Sequence, residues 1–169
     1  ASLLAPPQPP ARPPPPVPPP LPPAIPTSFF SFDGSSEPGW TTGATFSNGR
    51  AVGPAPFGWA RRAGQPPTWS TGPSSGHGGS GTYYYTEVSW PRVAGDVFEL
   101  AYDGSACTGL GASVQFVSFA YHMSGNDIGT LRVVADGTTR WERSGAQGYG
   151  WIESEPIGIH AGSMAFEAV

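Results

Sequence analysis

The chain has 169 residues, of which 24 are glycine and 22 are proline, and only 12% are charged. Its net charge of −4 comes from 12 acidic and 8 basic residues, and every basic residue is an arginine. Because no basic run could neutralise successive phosphates, we expect no nucleic-acid partner. No apolar stretch approaches the ~20 residues that span a bilayer, so we predict no membrane span. Cys107 is the only cysteine, which excludes a disulfide within one chain.

The N-terminal segment is dominated by proline: 14 of the 22 prolines lie within the first 26 residues. Proline fixes φ and has no backbone N–H, so residues 5–26 can form neither helix nor sheet. Polyproline II remains, and at ~3.1 Å per residue this segment would be roughly 68 Å long. We predict a polyproline II arm over residues 1–28 and one globular domain over residues 29–169.

The arm has more than one interpretation. It could be a stiff spacer or a ligand for a proline-binding module. Its composition also resembles the extended, hydroxyproline-rich and O-glycosylated arms of algal and plant extracellular glycoproteins. Serine and threonine are scarce in the arm, so sugars there would need hydroxylated proline. The candidate glycosylation positions are Pro13, Pro14, Pro15, Pro16, Pro18, Pro19, Pro20, Pro22 and Pro23.

After residue 28 the sequence changes to short runs of aromatic and β-branched residues with a period near two, separated by glycine, proline, asparagine or aspartate. These runs are residues 82–90, 96–102, 112–123, 129–136 and 163–169. Asp136-Gly137 predicts a hairpin between the fourth run and TTRWE. Since no window keeps helical spacing, the sequence predicts an all-β, antiparallel fold built as a two-sheet sandwich.

The order of several motifs carries a family resemblance. Phe32-Asp33 and Gly39-Trp40 are followed by FGWAR (57–61), TGPSSGH (71–77), GSGTYYYTEVS (79–89), FVSFAYHMSGNDIGTLRVV (116–134), RWERSGAQGYGWIE (140–153) and MAFEAV (164–169). This order resembles the MAM domain, an extracellular module of meprins, neuropilins and receptor-type phosphatases. The resemblance implies a jelly-roll-like β-sandwich, an extracellular or cell-surface location, and a role in adhesion or assembly without catalysis.

The chain also departs from that family. MAM domains usually carry four cysteines, and Phe116 stands where one is expected, so Cys107 could be free or bridge to another chain. Gly76 replaces an acidic residue that often precedes the histidine of the GPSSGH motif. The family's last strand has no counterpart before Val169. We therefore expect an open sheet edge that a strand from a neighbouring subunit could fill.

Side chains that carry chemistry are few. The three histidines, His77, His122 and His160, lack zinc-ligand spacing, and no serine lies in a nucleophile-elbow motif. We predict that the chain is not an enzyme. By the resemblance, Asp33 lies where some MAM domains supply an acidic ligand, and Glu167 lies on the final strand. These two carboxylates are candidate Ca²⁺ ligands, or else surface groups at strand ends.

The tryptophans provide candidate contact surfaces. Trp69 lies two residues after Pro67 and Trp90 precedes Pro91, and both could contact sugars or proline-rich ligands. By the resemblance, Trp59, Trp141 and Trp151 are expected in the core or anchoring loops.

Two hypotheses of function follow from these features. In the first, the chain is a structural subunit of an extracellular fibre or coat, and its arm packs against copies of itself or other glycoproteins. In the second, it is an adhesion or carbohydrate-recognition module whose proline-rich segment is a stalk.

Overall fold

The computed structural model describes residues 27–34, 37–45, 58–68, 71–87, 92–105 and 113–169. The proline-rich segment 1–26 with its candidate glycosylation sites, Trp69, Trp90 and Cys107 lie outside the described residues. The described residues form β-strands and one short 3₁₀ turn, His77–Gly79. In the part of the chain that the structure describes, no helix is long and apolar enough to cross a membrane.

The strands are short, and each of the five predicted runs overlaps described strands. Their bounds are β1 Trp40–Thr45, β2 Ala60–Ala63, β3 Thr82–Tyr85, β4 Val97–Asp103, β5 Val114–Val117, β6 Ala120–Tyr121, β7 Thr130–Ala135, β8 Thr138–Ser144, β9 Ile152–Glu153, β10 Ile157–Ala161 and β11 Ser163–Ala168. The run 112–123 divides into β5 and β6, and each of the other runs contains one described strand, whereas β1, β2, β9 and β10 lie outside those runs.

The strands form one five-stranded sheet in the order β1-β4-β11-β7-β8 and three antiparallel pairs, β2/β3, β5/β10 and β6/β9. Strand β4 shows the period that the sequence predicted. Phe98, Leu100 and Tyr102 are buried, whereas Glu99 and Asp103 on the other face are exposed. All described pairings are antiparallel, so the predicted all-β, antiparallel fold is confirmed.

The core lies between the large sheet and the shorter pairs. Val133 of β7 and Ile159 of β10 are fully buried, one from each layer. Their cluster also contains Leu100, Tyr102, Ala135, Ile157, Ala161, Met164 and Phe166. Burying a side chain such as Val133 or Ile159 contributes about 1.5–3 kcal/mol, so this seam is a main source of stability. Trp59 and Trp141 pack against the same core, which confirms their expected structural role.

The hairpin predicted at Asp136-Gly137 is present between β7 and β8. Asp136 has φ 49° and Gly137 has φ 68°, and two positive values in succession are those of a type I′ turn. Further along this hairpin, Val133 pairs with Trp141 and Val134 pairs with Thr139. Arg140 is therefore an extra residue on β8, and it forms a β-bulge.

The last described strand, β11, does not lie at an edge of the large sheet. Strand β11 pairs with β4 on one side and with β7 on the other. The edge strands of this sheet are β1 and β8. The edge predicted to be open therefore does not lie at β11, and its pairing with a neighbouring subunit stays a prediction.

An aromatic cluster holds the start of the described chain against one end of the sandwich. The Phe32 ring lies 5.3 Å from that of Trp40 and 5.0 Å from that of Tyr84. The Phe30 ring lies 5.2 Å from that of Tyr102. Because Trp40 and Tyr102 belong to the large sheet and Tyr84 belongs to β3, these rings join the two layers.

Candidate recognition site around Trp151

Three segments that carry the family resemblance meet at one tryptophan. The ring of Trp151 lies 6.0 Å from that of His77, 5.7 Å from that of His122 and 5.7 Å from that of Tyr83, each edge to face. Its Nε1 donates a hydrogen bond to the carbonyl of Ser75 at 3.0 Å. Trp151 therefore anchors the loop that precedes His77, as the resemblance led us to expect.

Backbone hydrogen bonds fix the loops around this tryptophan. Gly72 N donates to Ser124 O at 3.4 Å, and Gln147 N donates to Met123 O at 2.7 Å. Met123 and Ser124, in the segment that follows β6, are buried, and this segment lies between the two loops. His122 Nε2 lies 3.1 Å from the carbonyl of Tyr149. His122 therefore contacts both Trp151 and the loop that carries Tyr149.

Gly76 shows why this loop departs from the family pattern. A Cβ atom at this position would lie 2.2 Å from the carbonyl oxygen of Ser80. No side chain fits there unless the turn that follows rearranges, since real Cβ contacts this short do not occur. Gly76, at a position where MAM domains often have an acidic residue, therefore allows a tight turn in this chain.

The outer surface of the site is polar and aromatic. His77 Nε2 lies 3.3 Å from Glu153 Oε1, and the two side chains are 48% and 75% exposed. Tyr149, in the loop before Trp151, is 96% exposed and stands between Gly148 and Gly150. The surface of the site therefore carries the His77–Glu153 pair and the exposed ring of Tyr149 around Trp151.

Among the described residues, Ser75, His77 and Asp96 do not assemble into a catalytic triad. His77 pairs with Glu153, and Ser75 contributes its backbone carbonyl to Trp151. Asp96 is buried in the turn before β4, where it accepts a hydrogen bond from Val93 N at 3.2 Å. The described geometry gives a nucleophilic serine no general base among these contacts.

Asp33 and Glu167 lie in different surroundings. Asp33 Oδ1 accepts a hydrogen bond from Thr82 N at 2.6 Å, at the start of β3. Glu167 forms an ion pair of 3.2 Å with Arg132 on the neighbouring strand. Within the described ranges, no three His, Cys, Asp or Glu residues form a group that could hold a metal ion. Calcium binding by Asp33 and Glu167 stays a prediction.

The candidate contact residues predicted from sequence, Trp69 and Trp90, lie outside the described residues. Tyr149 was missed, although the triplet Gly148-Tyr149-Gly150 carries a signal for it. A large ring between two residues without side chains has no sequence neighbour to cover it. Phe116, at the position where the family has a cysteine, is 58% exposed, and its ring lies 5.4 Å from that of His160.

Comparison with known proteins gives a partial likeness. No family model matches the chain. In an alignment 96 positions long that covers 52% of the chain, it is 36% identical to MAM domain-containing glycosylphosphatidylinositol anchor protein 1 of Gallus gallus. These residues cover 10% of that protein, so the chain spans about a tenth of the length of this curated relative. About half of the chain is therefore similar to part of a MAM domain-containing protein, and the described fold is an antiparallel β-sandwich.

Proposed function

We propose that the chain is a non-enzymatic extracellular module, a structural subunit of a glycoprotein fibre or surface coat in which the MAM-like head mediates assembly. The observation that carries the proposal is the likeness to a MAM domain-containing glycosylphosphatidylinositol anchor protein. Such an anchor is a lipid modification that attaches proteins to membranes. The antiparallel sandwich and the rigid loop cluster around Trp151 fit a module that recognises other macromolecules.

In the proposed assembly the MAM-like head makes one contact, and the proline-rich segment makes a second. With 14 prolines among its first 26 residues, the chain has few N–H donors there. Such a segment packs through its side-chain faces on aromatic surfaces. A contact between the arm of one subunit and the head of the next is heterologous, and heterologous contacts that do not close propagate into filaments. Partners would be copies of the chain or other extracellular glycoproteins.

The test replaces residues 5–26 by a glycine-serine segment of equal length in the otherwise full chain. We expect the thermal unfolding temperature of the domain to stay within about 2 °C and the sedimenting polymer to disappear, because the arm contributes contacts between subunits. The wild-type chain under the same conditions is the control. If the replaced chain forms polymer as the wild type does, the assembly role of the arm is wrong.

Glycosylation of the arm is tested separately by mass spectrometry of native material. Pentose or hexose increments above the 17.6 kDa of the bare chain, located on peptides from residues 5–26, are the expected result. Unmodified peptides would contradict glycosylation at the arm and would favour direct packing of bare polyproline.

Tyr149 favours a second candidate, an adhesion or carbohydrate-recognition module in which the proline-rich segment is only a stalk. An aromatic ring that is 96% exposed offers a flat face on which a sugar ring can stack. The His77 ring contacts the Trp151 ring, and the His77 side chain pairs with Glu153. Both His77 and Glu153 are polar and exposed, and could bind the hydroxyl groups of a sugar.

The second candidate predicts a loss of binding in Tyr149→Ala. On immobilised glycans to which the full chain binds, we expect about a three- to tenfold higher Kd, because a stacking ring is removed. Tyr149→Trp is the matched control, since it keeps an aromatic face and should bind within about threefold of wild type. Equal binding by Tyr149→Ala and the wild type would contradict a role for this ring.

A further inference from the structure

The two edges of the five-stranded sheet differ in chemistry. Strand β8 carries Arg140, Glu142 and Arg143, and its register is interrupted by the bulge at Arg140. Charges and bulges are the devices that prevent an edge strand from pairing with another chain. Strand β1, Trp40–Thr45, has the sequence WTTGAT without any charge, and its register with β4 is continuous over all six pairs. Strand β1 is therefore the edge that lacks such protection.

The hydrogen-bonding groups of β1 that face outward can be identified. Asp103 N donates to Gly39 O at 2.7 Å, which makes Gly39 and Asp103 a hydrogen-bonded pair. Such pairs alternate along an antiparallel ladder. Thr41 and Gly43 therefore bond to β4, whereas the N–H and C=O groups of Thr42 and Ala44 point away from it. In the part of the chain that the structure describes, β1 pairs only with β4.

In the described part of the chain, this edge is held in place and its residues are exposed. Trp40 fixes the start of β1 through ring contacts of 5.0 Å with Tyr102 and 6.0 Å with Phe166. The residues next to it, Thr41, Thr42 and Gly43, are exposed. Gly43 has no side chain that could obstruct a neighbouring strand. A fixed, exposed and flat strand loses little conformational entropy when it pairs.

The chemistry of the edge limits its occupant. The proline-rich segment lacks most of the N–H donors that a strand partner must supply, since 14 of its 26 residues are proline. Strand β8 of another copy is excluded by its bulge and its charges. A second β1 supplies the same alternating donors and acceptors and adds no charge.

We propose that β1 pairs antiparallel with β1 of a second copy about a twofold axis, which joins the two large sheets into one ten-stranded sheet. The outward groups allow only registers in which Thr42 faces Thr42 or Ala44 of the other copy, or Ala44 faces Ala44. The contact is isologous and closes as a dimer. This inference does not depend on the proposed function of the arm.

Sedimentation equilibrium of the full chain over a range of concentrations tests the proposal, with a reductant present because Cys107 could crosslink two chains. We expect a monomer–dimer equilibrium for the chain in which residues 5–26 are replaced by the glycine-serine segment, and for the wild type if its arm forms no polymer; all variants are made in the same background. Thr42→Pro removes the outward N–H and keeps the bonds from Thr41 and Gly43 to β4, so it is tolerated at an edge. With two hydrogen bonds lost per dimer, its Kd should rise about 10- to 100-fold. Thr42→Val keeps the N–H, and its Kd should stay within about threefold.

A second variant, Gly43→Lys, keeps the proposal testable if Thr42→Pro does not fold. A Cβ atom at Gly43 would lie 3.7 Å from Glu99 Oε1, an ordinary contact, so Gly43→Lys fits the monomer and places its charge near a carboxylate. In the register that pairs Thr42 with Ala44 the two lysines face each other, and in the other two registers they lie within two residues of each other across the axis, so we expect a Kd at least about tenfold higher. Amide hydrogen exchange gives the structural readout. Thr42 and Ala44 should be protected in the dimer and exchange on dilution, while Thr41 and Gly43 stay protected.

Three outcomes overturn the proposal. The first is a wild-type chain that remains monomeric up to about 1 mM, since a specific dimer would form well below that concentration. The second is a dimer that neither Thr42→Pro nor Gly43→Lys weakens, which places the contact elsewhere. The third is protection of Thr42 and Ala44 in the dilute monomer, which shows that the chain covers its own edge. Replacement of residues 5–26 should leave the dimer intact, so failure of the arm hypothesis and failure of this one are distinguishable.

Discussion

Tyr83 connects the loop cluster to the rest of the sandwich through a single side chain. It is 6% exposed, its ring lies 5.7 Å from that of Trp151, and its hydroxyl donates to Gly64 O at 2.6 Å. Burial raises the pKa of Tyr83 above its usual 10.0, Arg62 opposes this shift, and Tyr85 adds to it. The protonated phenol is therefore the form that the folded state favours.

Tyr83→Phe should destabilise the domain and change its response to alkali. At pH 7 we expect a loss of about 1 kcal/mol in the free energy of unfolding, because Gly64 O loses its donor. The raised pKa means that this contribution of Tyr83 is complete below pH 10 and is lost as the pH rises through the folded-state pKa. The difference between wild type and variant should therefore shrink above pH 10.

Urea unfolding of both chains at pH 7 and at several values above pH 10 measures this difference. Tyr85→Phe serves as the control at pH 7, since it removes a phenol from the same strand and leaves the bond from Tyr83 to Gly64 in place. A constant difference across the whole pH range would contradict the prediction.

Asp33 shows what the sequence could not indicate at the scale of one residue. By the resemblance it was a candidate Ca²⁺ ligand or a surface group, and its carboxylate accepts a hydrogen bond from Thr82, 49 residues away in the chain. Gly81 is required beside it, because a Cβ there would lie 2.5 Å from Asp33 Oδ1. The contact depends on how residues 31–33 fold back onto β3, and no local pattern encodes that path.

At the scale of the element, the hairpin between β7 and β8 was predictable because its turn requires positive φ at two successive residues. Asp136 and Gly137 provide this, with φ 49° and 68°. The bulge at Arg140 was not predictable, because the alternation of TTRWERS does not show which residue lacks a partner. Only the pairing of Val133 with Trp141 across the hairpin reveals it.

Gly137→Ala should cost about 1 kcal/mol in the free energy of unfolding. A Cβ at Gly137 would meet nothing within 4 Å, so the cost comes from the backbone conformation alone. Gly43→Ala is the matched control, because Gly43 lies in a regular strand where alanine makes only ordinary contacts. It should be neutral or stabilising by up to about 1 kcal/mol.

Denaturant unfolding of the glycine variants is best measured at a concentration low enough to keep the chain monomeric, since Gly43 lies on the proposed dimer edge. Equal stabilities of Gly137→Ala and Gly43→Ala would show that the turn does not need its left-handed residue.

At the scale of the whole molecule, two contacts of different symmetry are proposed. Pairing of β1 with β1 is isologous and closes, whereas a contact of the proline-rich segment with a neighbouring head is heterologous and can continue. Together they would link dimers into a fibre. If only the first forms, the assembly stops at two copies.

The sequence by itself determined the class of the fold. Alternation of buried and exposed residues with period two is local, and so are the turn at Asp136-Gly137 and the change of composition after residue 28. The order of motifs likewise indicated the MAM-like character that the partial likeness supports. Such features depend on neighbouring residues, and a single sequence displays them.

Only the tertiary structure decided which distant residues meet. It brought His77, His122 and Trp151 together, left Tyr149 uncovered, and placed the last strand in the interior of the large sheet with β1 and β8 at its edges. Strand order depends on pairing between segments that are far apart in the chain, and several orders would satisfy the same alternation. The packing of the two layers selects one of them because it buries Val133 and Ile159 from opposite sides.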